Sequence, residues 1–423
     1  MSRGFAKLRA AGLPASGAEL NVWRHPVPEL ENGALVLTQA FSLLRTFPDS
    51  RSNEIAKPNL INRTNEWSEA THELMAAYVR MNAPAITKAH EALLLPHFYY
   101  PVDFSYGPDT VLPHLVGLKK ISLVAGLDAV LQAEQGRADE WPSNVELHLK
   151  LAASLEDEPS LISFLVRNAI LRMAVNASER SLNLATPSAD VCSKLQNAFS
   201  FAARTNLLPL AFTGERAMMI PVFRLSWSEI HSRPSNDESG FQVMKPLQYS
   251  GKPWFPLWLS GLFERDLDHF LKEMDQTIAL ASLPLPERLG LTNHLIVACN
   301  AAPRIMGHIG FTSMLLQSFA SVIVRDASTH ARIELTVVAL GVERFRHERG
   351  HLPDHLAELT PHFLDAVPRD PFDGAPLRYK RMVKGYIIYS IGSDGHDDGG
   401  REPPAGKKIA GSGNYDITFT VKH

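Results

Sequence analysis

Two stretches of this 423-residue chain combine residue types and spacings that could do chemistry. The first is His347-Glu348-Arg349-Gly350-His351, which satisfies the H-E-x-x-H string. On an unbroken helix that spacing puts two imidazoles one turn apart on one face. There they can hold zinc while the glutamate serves as general base for hydrolysis. Glu358 or His355 could supply a third ligand, and nothing in the sequence selects between them. The surroundings oppose this reading. Gly350 stands where the helix is expected to stop and Pro353 follows at once, so His351 is expected to point elsewhere. The second stretch is Ser390–Gly400, where Asp394, Asp397 and Asp398 are interspersed with glycines. Calcium takes roughly six to eight oxygen ligands and suits a flexible, carboxylate-bearing loop of this kind. A solvated acidic connection between strands would have the same composition without any metal.

The remaining chemistry-bearing residues are scattered. His72, His90, His97 and His114 are dispersed, and no pair has a spacing that also brings a carboxylate partner, so they read as ordinary surface or core histidines. The aromatic run Phe98, Tyr99, Tyr100, Phe104 and Tyr106, with Trp254 and Trp258, could line a ligand groove. Core packing is the commoner fate of such residues. Cys192 and Cys299 sit in apolar helical contexts and read as buried thiols rather than a disulfide or metal pair. The sequence holds no Gly-rich phosphate loop, no G-x-S-x-G and no Cys/His nucleophile pair.

The elements that must position these residues are mostly helical. With 45% hydrophobic and 21% charged residues, the composition is that of an ordinary globular protein. A net charge of −3 gives no basic footprint for nucleic acid. No apolar run is long enough to span a membrane. Met1–Leu13 lacks the apolar core of a signal peptide. The chain therefore reads as cytoplasmic if Met1 is its native start, and as a cell-envelope or periplasmic protein if a leader or anchor has been removed. Residues 1–112 give N-terminal helices over 34–44, 65–81 (capped by Asn65) and 85–94, then an irregular Pro-rich connection over 96–113. Residues 113–325 give a helical body of antiparallel pairs: a helix from Pro113 to near Gly136, then 144–155, 160–182 and 190–205, one beginning near Gly214, and further helices over 258–280 and 286–305. Residues 231–256 read as a polar loop.

Residues 326–423 change character. A helix over 328–349 puts Ala331, Leu335, Val338, Val342 and Phe345 at alternating steps of four and three, which makes one apolar face. Arg332, Glu334, Glu343 and Arg346 give it a charged side that cannot enter lipid. An Asp373-Gly374 turn and three strand candidates follow: 377–383, 386–391 and 417–421. The helix stop Gly350-His351-Leu352-Pro353, the Asp370-Pro371-Phe372-Asp373-Gly374 turn, the run Tyr386-Ile387-Ile388-Tyr389-Ser390-Ile391-Gly392-Ser393-Asp394-Gly395 with Gly399-Gly400, and Asp416-Ile417 agree in order and spacing with the soluble part of the type II secretion major pseudopilins. The chain's end thus resembles that family. The whole chain also resembles large uncharacterised proteins of planctomycetes and verrucomicrobia that pair a helical body with this ending, often behind a membrane anchor. The resemblance implies an α+β module whose first loop aspartate and the aspartate before Ile417 ligate calcium, here Asp394 and Asp416. The expected fold is therefore mainly α-helical with a C-terminal α+β pseudopilin-like module. The expected function is a non-enzymatic interaction or structural protein of the envelope or a secretion system, working through protein partners. Its end is stapled by calcium on Asp394, Asp397, Asp398 and Asp416. A zinc-dependent hydrolase built on His347, Glu348 and His351 is the alternative.

Overall fold

The computed structural model describes residues 3–55, 60–224, 262–292, 311–402 and 415–422. The chain is mainly helical with one small antiparallel sheet near its C-terminus. The first helices are α1 (Arg3–Ala10), α2 (Gly17–Trp23), α3 (Gly33–Ser42), α4 (Arg51–Ile55) and α5 (Glu69–Ala92). They are followed by α6 (His114–Glu134), α7 (Trp141–Ala153), α8 (Leu161–Leu182), α9 (Ala189–Arg204) and α10 (Leu208–Met219). After these come α11 (Leu262–Ala281) and α12 (Phe311–Arg349).

α6 buries most of its surface: Leu118, Ile121, Val124, Leu127 and Val130 are all excluded from water, and Val116, Lys119 and Lys120 are exposed near its start. So much buried surface needs several neighbours, and α5, α7 and α8 pack against it. Gly136, with φ +73°, closes the helix as its glycine predicts. Ser160 caps α8 by accepting the Ser163 N–H. In the N-terminal region the structure joins what the sequence divides. The expected helices over 65–81 and 85–94 are one helix, α5, which absorbs Pro84 and is capped by Ser68 rather than Asn65. Pro84 forfeits one backbone bond, but Met75, Tyr78, Ala85, Ile86 and Ala89 lie on one buried stripe that runs through it. α10 begins at Leu208, a turn and a half before the expected Gly214. The expected polar loop over 231–256 lies outside the described residues, as does most of the expected helix over 286–305.

The last helix is longer than its pattern suggests. α12 runs 39 residues, about 58 Å at the usual helical rise. Its first half (Leu315, Leu316, Phe319, Ile323) enters a core shared with α10 and α11. Its second half (Ile333, Leu335, Val338, Val342, Phe345) enters the larger core, which runs from Leu37 of α3 to Val421. The sequence boundary between 325 and 326 falls inside this helix, and the same apolar core crosses the boundary between 112 and 113.

The sheet is β1 (Arg378–Arg381), β2 (Tyr386–Ser390) and β3 (Ile417–Val421), with β2 in the centre and both pairings antiparallel. Register pairs Arg381 with Tyr386 and Tyr386 with Val421. The turn between β1 and β2 requires Gly385, whose φ is +93° and where a Cβ would stand 1.9 Å from the Val421 carbonyl oxygen. Tyr386, Ile388, Phe419 and Val421 face α12 and complete the core.

Candidate functional site

The H-E-x-x-H string is used to end α12. Gly350 adopts φ +75° immediately after Arg349, which takes His351 off the helical face that carries His347. His347 Nε2 lies 2.8 Å from the Pro187 carbonyl oxygen. His351 Nδ1 lies 3.0 Å from the Leu352 oxygen, and its ring stands edge-on to Phe345. Glu348 is exposed and pairs with Arg349 at 3.3 Å. Glu358 Oε1 accepts the N–H groups of Asp354 and His355 at 2.7 and 2.8 Å, which holds the short turn Leu356–Leu359 in place. None of these groups converges on a common point, and no set of three metal-ligating side chains is gathered among the described residues.

The acidic loop is organised from below by a residue the sequence reading did not single out. The Asp370 carboxylate is fully buried. Its Oδ1 accepts the Ser390 hydroxyl at 2.8 Å and the Phe372 N–H at 3.0 Å. Its Oδ2 accepts the Ile391 N–H at 2.9 Å and the Arg378 guanidinium at 2.6 Å. One carboxylate thereby ties the Asp-Pro turn, β1 and the end of β2 together. Charge-assisted bonds are the strong ones, and they satisfy a buried ion that would otherwise be costly. Arg378 also pairs with Asp373 and stands 3.5 Å from Asp397 Oδ2.

Above that hub the four expected ligands divide. Asp394 Oδ1 accepts the His396 N–H at 3.1 Å and so closes its own turn. Asp397 Oδ1 accepts the Gly399 N–H at 2.9 Å. Asp416 reaches across from the start of β3, accepting the N–H groups of Asp398 at 3.4 Å and Gly400 at 2.6 Å. Burial raises the Asp416 carboxyl above the ordinary carboxylate range, and the charges of Asp397 and Asp398 push the same way against the two backbone bonds. Asp398 Oδ2 is buried and has no hydrogen-bond partner among the described residues. Asp397, Asp398 and Asp416 are therefore brought within electrostatic reach of one another, and Asp394 makes a local turn contact. The orphaned Asp398 oxygen is a hard donor, and the Asp416 oxygens keep lone pairs beyond the two N–H bonds they accept. These oxygens are of the type calcium takes, but among the described residues no three of these side chains are gathered into a group that could hold a metal ion.

The helical body clasps the module at β3. Glu179 of α8 accepts the Thr420 N–H at 2.8 Å. Asn183 bonds the Thr420 oxygen and the Lys422 N–H, each at 2.8 Å. Arg63 joins Glu179 at 3.3 Å to Glu402 at 2.6 Å, and Glu402 accepts the hydroxyls of Thr418 and Thr420. On the other side of α12, the Gln196 amide donates to the carbonyls of Val337 and Phe363 and accepts from Arg344.

The scattered histidines have partners that spacing could not show. His114 Nε2 stands 3.1 Å from the buried Glu158 carboxylate, which also accepts the Ser163 hydroxyl, and Tyr100 stacks on His114 at 4.1 Å. His72 pairs with Glu134 at 2.8 Å. These corrections arise because the partners lie 44 and 62 residues away. The aromatic connection is largely core: Tyr100 and Phe104 are buried, and Tyr99 stacks under Arg24. Trp254, Trp258 and Cys299 lie outside the described residues. Cys192 is buried, and burial pushes its thiol up to about 12, so it is an inert thiol at neutral pH. No known protein family, curated protein or solved structure matches the chain. Among the described residues no helix is long and apolar enough to cross a membrane.

Proposed function

We propose that the chain is a non-catalytic interaction protein of the cell envelope or of a secretion system. Its helical body presents a surface to protein partners, and its pseudopilin-like end is held rigid by calcium. The observation that carries the calcium reading is the buried, unpartnered Asp398 Oδ2 beside Asp397 and Asp416. The motif order from Gly350 to Ile417 supports the secretion context.

Asp398 and Asp416 would hold the ion, with Asp397 shared between it and Arg378. Calcium would supply the positive charge that the loop's carboxylates lack, and would fix the connection into β3. Arg378 neutralises the lower side of the loop, Asp416 fastens the glycine turn, and Asp370 keeps both in register.

The test is elemental analysis of the purified protein, joined to melting curves with calcium and with EDTA. One equivalent of calcium is expected, with a melting temperature that EDTA lowers in the wild type and leaves unchanged in Asp398→Asn. Absence of calcium together with EDTA-insensitive melting would sink the staple. Bound zinc lost in His347→Ala would favour the hydrolase instead. Recovery of envelope proteins by pulldown from the native host tests the partner half of the reading, and its failure leaves the metal result standing on its own.

A further inference from the structure

A cavity of about 410 Å³ lies between α8, the C-terminal end of α9, the turn following α11 and α12, away from the acidic loop. Its volume suits a small molecule rather than a peptide or a protein. Arg167 and Arg288 line it from the protein side, with only 4% and 5% of their side chains exposed. Arg204 stands at its solvent-facing rim. Against these three guanidinium groups the wall carries one carboxylate, Asp326.

Asp326 is already engaged. It takes Arg288 Nη1 at 2.9 Å and Asn168 Nδ2 at 3.2 Å. Arg288 is held further by its Nε–H bond to the Leu283 oxygen at 2.9 Å, so its guanidinium is fixed in direction. Arg167 is held more loosely, by an ion pair with Glu156 and the nearby charge of Asp326. Its closest carboxylate oxygen, on Glu156, is 3.6 Å away, and its Nε has no hydrogen-bond partner among the described residues. A guanidinium cannot shed its charge at any ordinary pH. Burying one without full pairing is costly. A fold that keeps such a group beside an open cavity gains if an oxyanion enters and takes its donors. The planar fork of arginine matches the two oxygens of a carboxylate or phosphate.

We propose that this cavity binds a small dianion, a phosphate monoester or a dicarboxylate. Arg167 and Arg204 grip the charged group, and Arg288, braced by Asp326, supplies the third positive charge. The site is independent of the calcium reading and lies on the helical body.

Isothermal titration of the full chain with glycerol 3-phosphate and with succinate, each against sodium chloride at matched ionic strength, tests this. Saturable one-to-one binding of either ligand is expected, weakened at least tenfold in Arg204→Gln and in Arg167→Lys. Binding of the phosphate alone identifies a phosphate monoester, and binding of succinate alone a dicarboxylate. Arg204 is exposed, so its variant is expected to melt with the wild type and to decide the matter even if Arg167→Lys folds poorly. Heats no larger than those of the salt control for both ligands, or binding changed less than twofold by Arg204→Gln, would overturn the proposal.

Discussion

The helical body and the C-terminal module solve the same problem by different means. In the body, long helices bury whole apolar faces: α6 packs its core stripe against α5, α7 and α8, and α9 packs on α12 with Cys192, Leu195, Phe199 and Ala202 buried. Buried polar groups occur there too, as in His114 with Glu158 and Ser163, but they sit within faces that are mostly apolar. The module has three strands of four or five residues each, resting on α12. It is assembled around charge: Asp370 at the hub, Arg378 across two turns, Glu402 and Glu179 along β3. Apolar area is what stabilises where helices are long, and fully paired buried carboxylates set register where strands are short.

That contrast can be broken at the hub. Asp370→Ala removes one side chain and leaves Arg378, Ser390 and the Ile391 N–H without it. A loss of about 3–5 kcal/mol is expected, with hydrogen-exchange protection vanishing first in β1 and β2 and surviving in α6 and α8. Uniform loss across both regions would mean that the two are one cooperative unit with no polar hub of its own.

The body provides the converse test. Glu215 of α10 is fully buried, its Oε1 lacks a partner among the described residues, and burial pushes its carboxyl up to about 7. Between its ordinary value of 4.5 and about 7, the folded chain keeps a proton that the unfolded chain has released. Stability therefore falls as pH rises through that window and stays low above it. Glu215→Gln is expected to stabilise by about 3 kcal/mol at pH 8 and by almost nothing at pH 4, read from urea melts at the two values. An equal effect at both would show that the glutamate is paired after all.

The smallest effect is expected on the module's open edge. Arg381 and Asp354 pair at 2.7 Å, yet both are more than half exposed. Arg381→Ala is expected to change stability by less than about 0.5 kcal/mol. A larger loss would show that the module depends on surface charge as well as on its buried hub.

Local pattern made much of this fold legible. The three-four spacing from Ala331 to Phe345 marks the buried face of α12, the glycines at 136 and 350 mark helix ends, and the three strands lie where alternating apolar residues and turn signals put them. Pattern fails where two long-range facts compete with a local one. Pro84 looks like a break but lies on a stripe that the core needs continuous. Asn65 looks like a cap, yet its Nδ2 reaches back toward Leu60 while Ser68 starts the helix. The acidic loop was visible as composition. The roles of Asp370, Glu179 and Arg167 were not, because each depends on partners elsewhere in the fold. Asp370 did carry a signal: an aspartate before Pro371 within a turn, with an arginine eight residues on.

The clasp on β3 has a consequence for synthesis. Glu179 and the Thr420 N–H it accepts are 241 residues apart. At ribosomal rates of roughly 5–20 residues per second, α8 emerges about 10–50 seconds before the strand that completes it. For most of that interval α12 and β2, on which β3 also packs, are still unmade. The contact between Glu179 and Thr420 therefore forms last, after α12 has joined the body and β2 has laid down the edge that β3 pairs with.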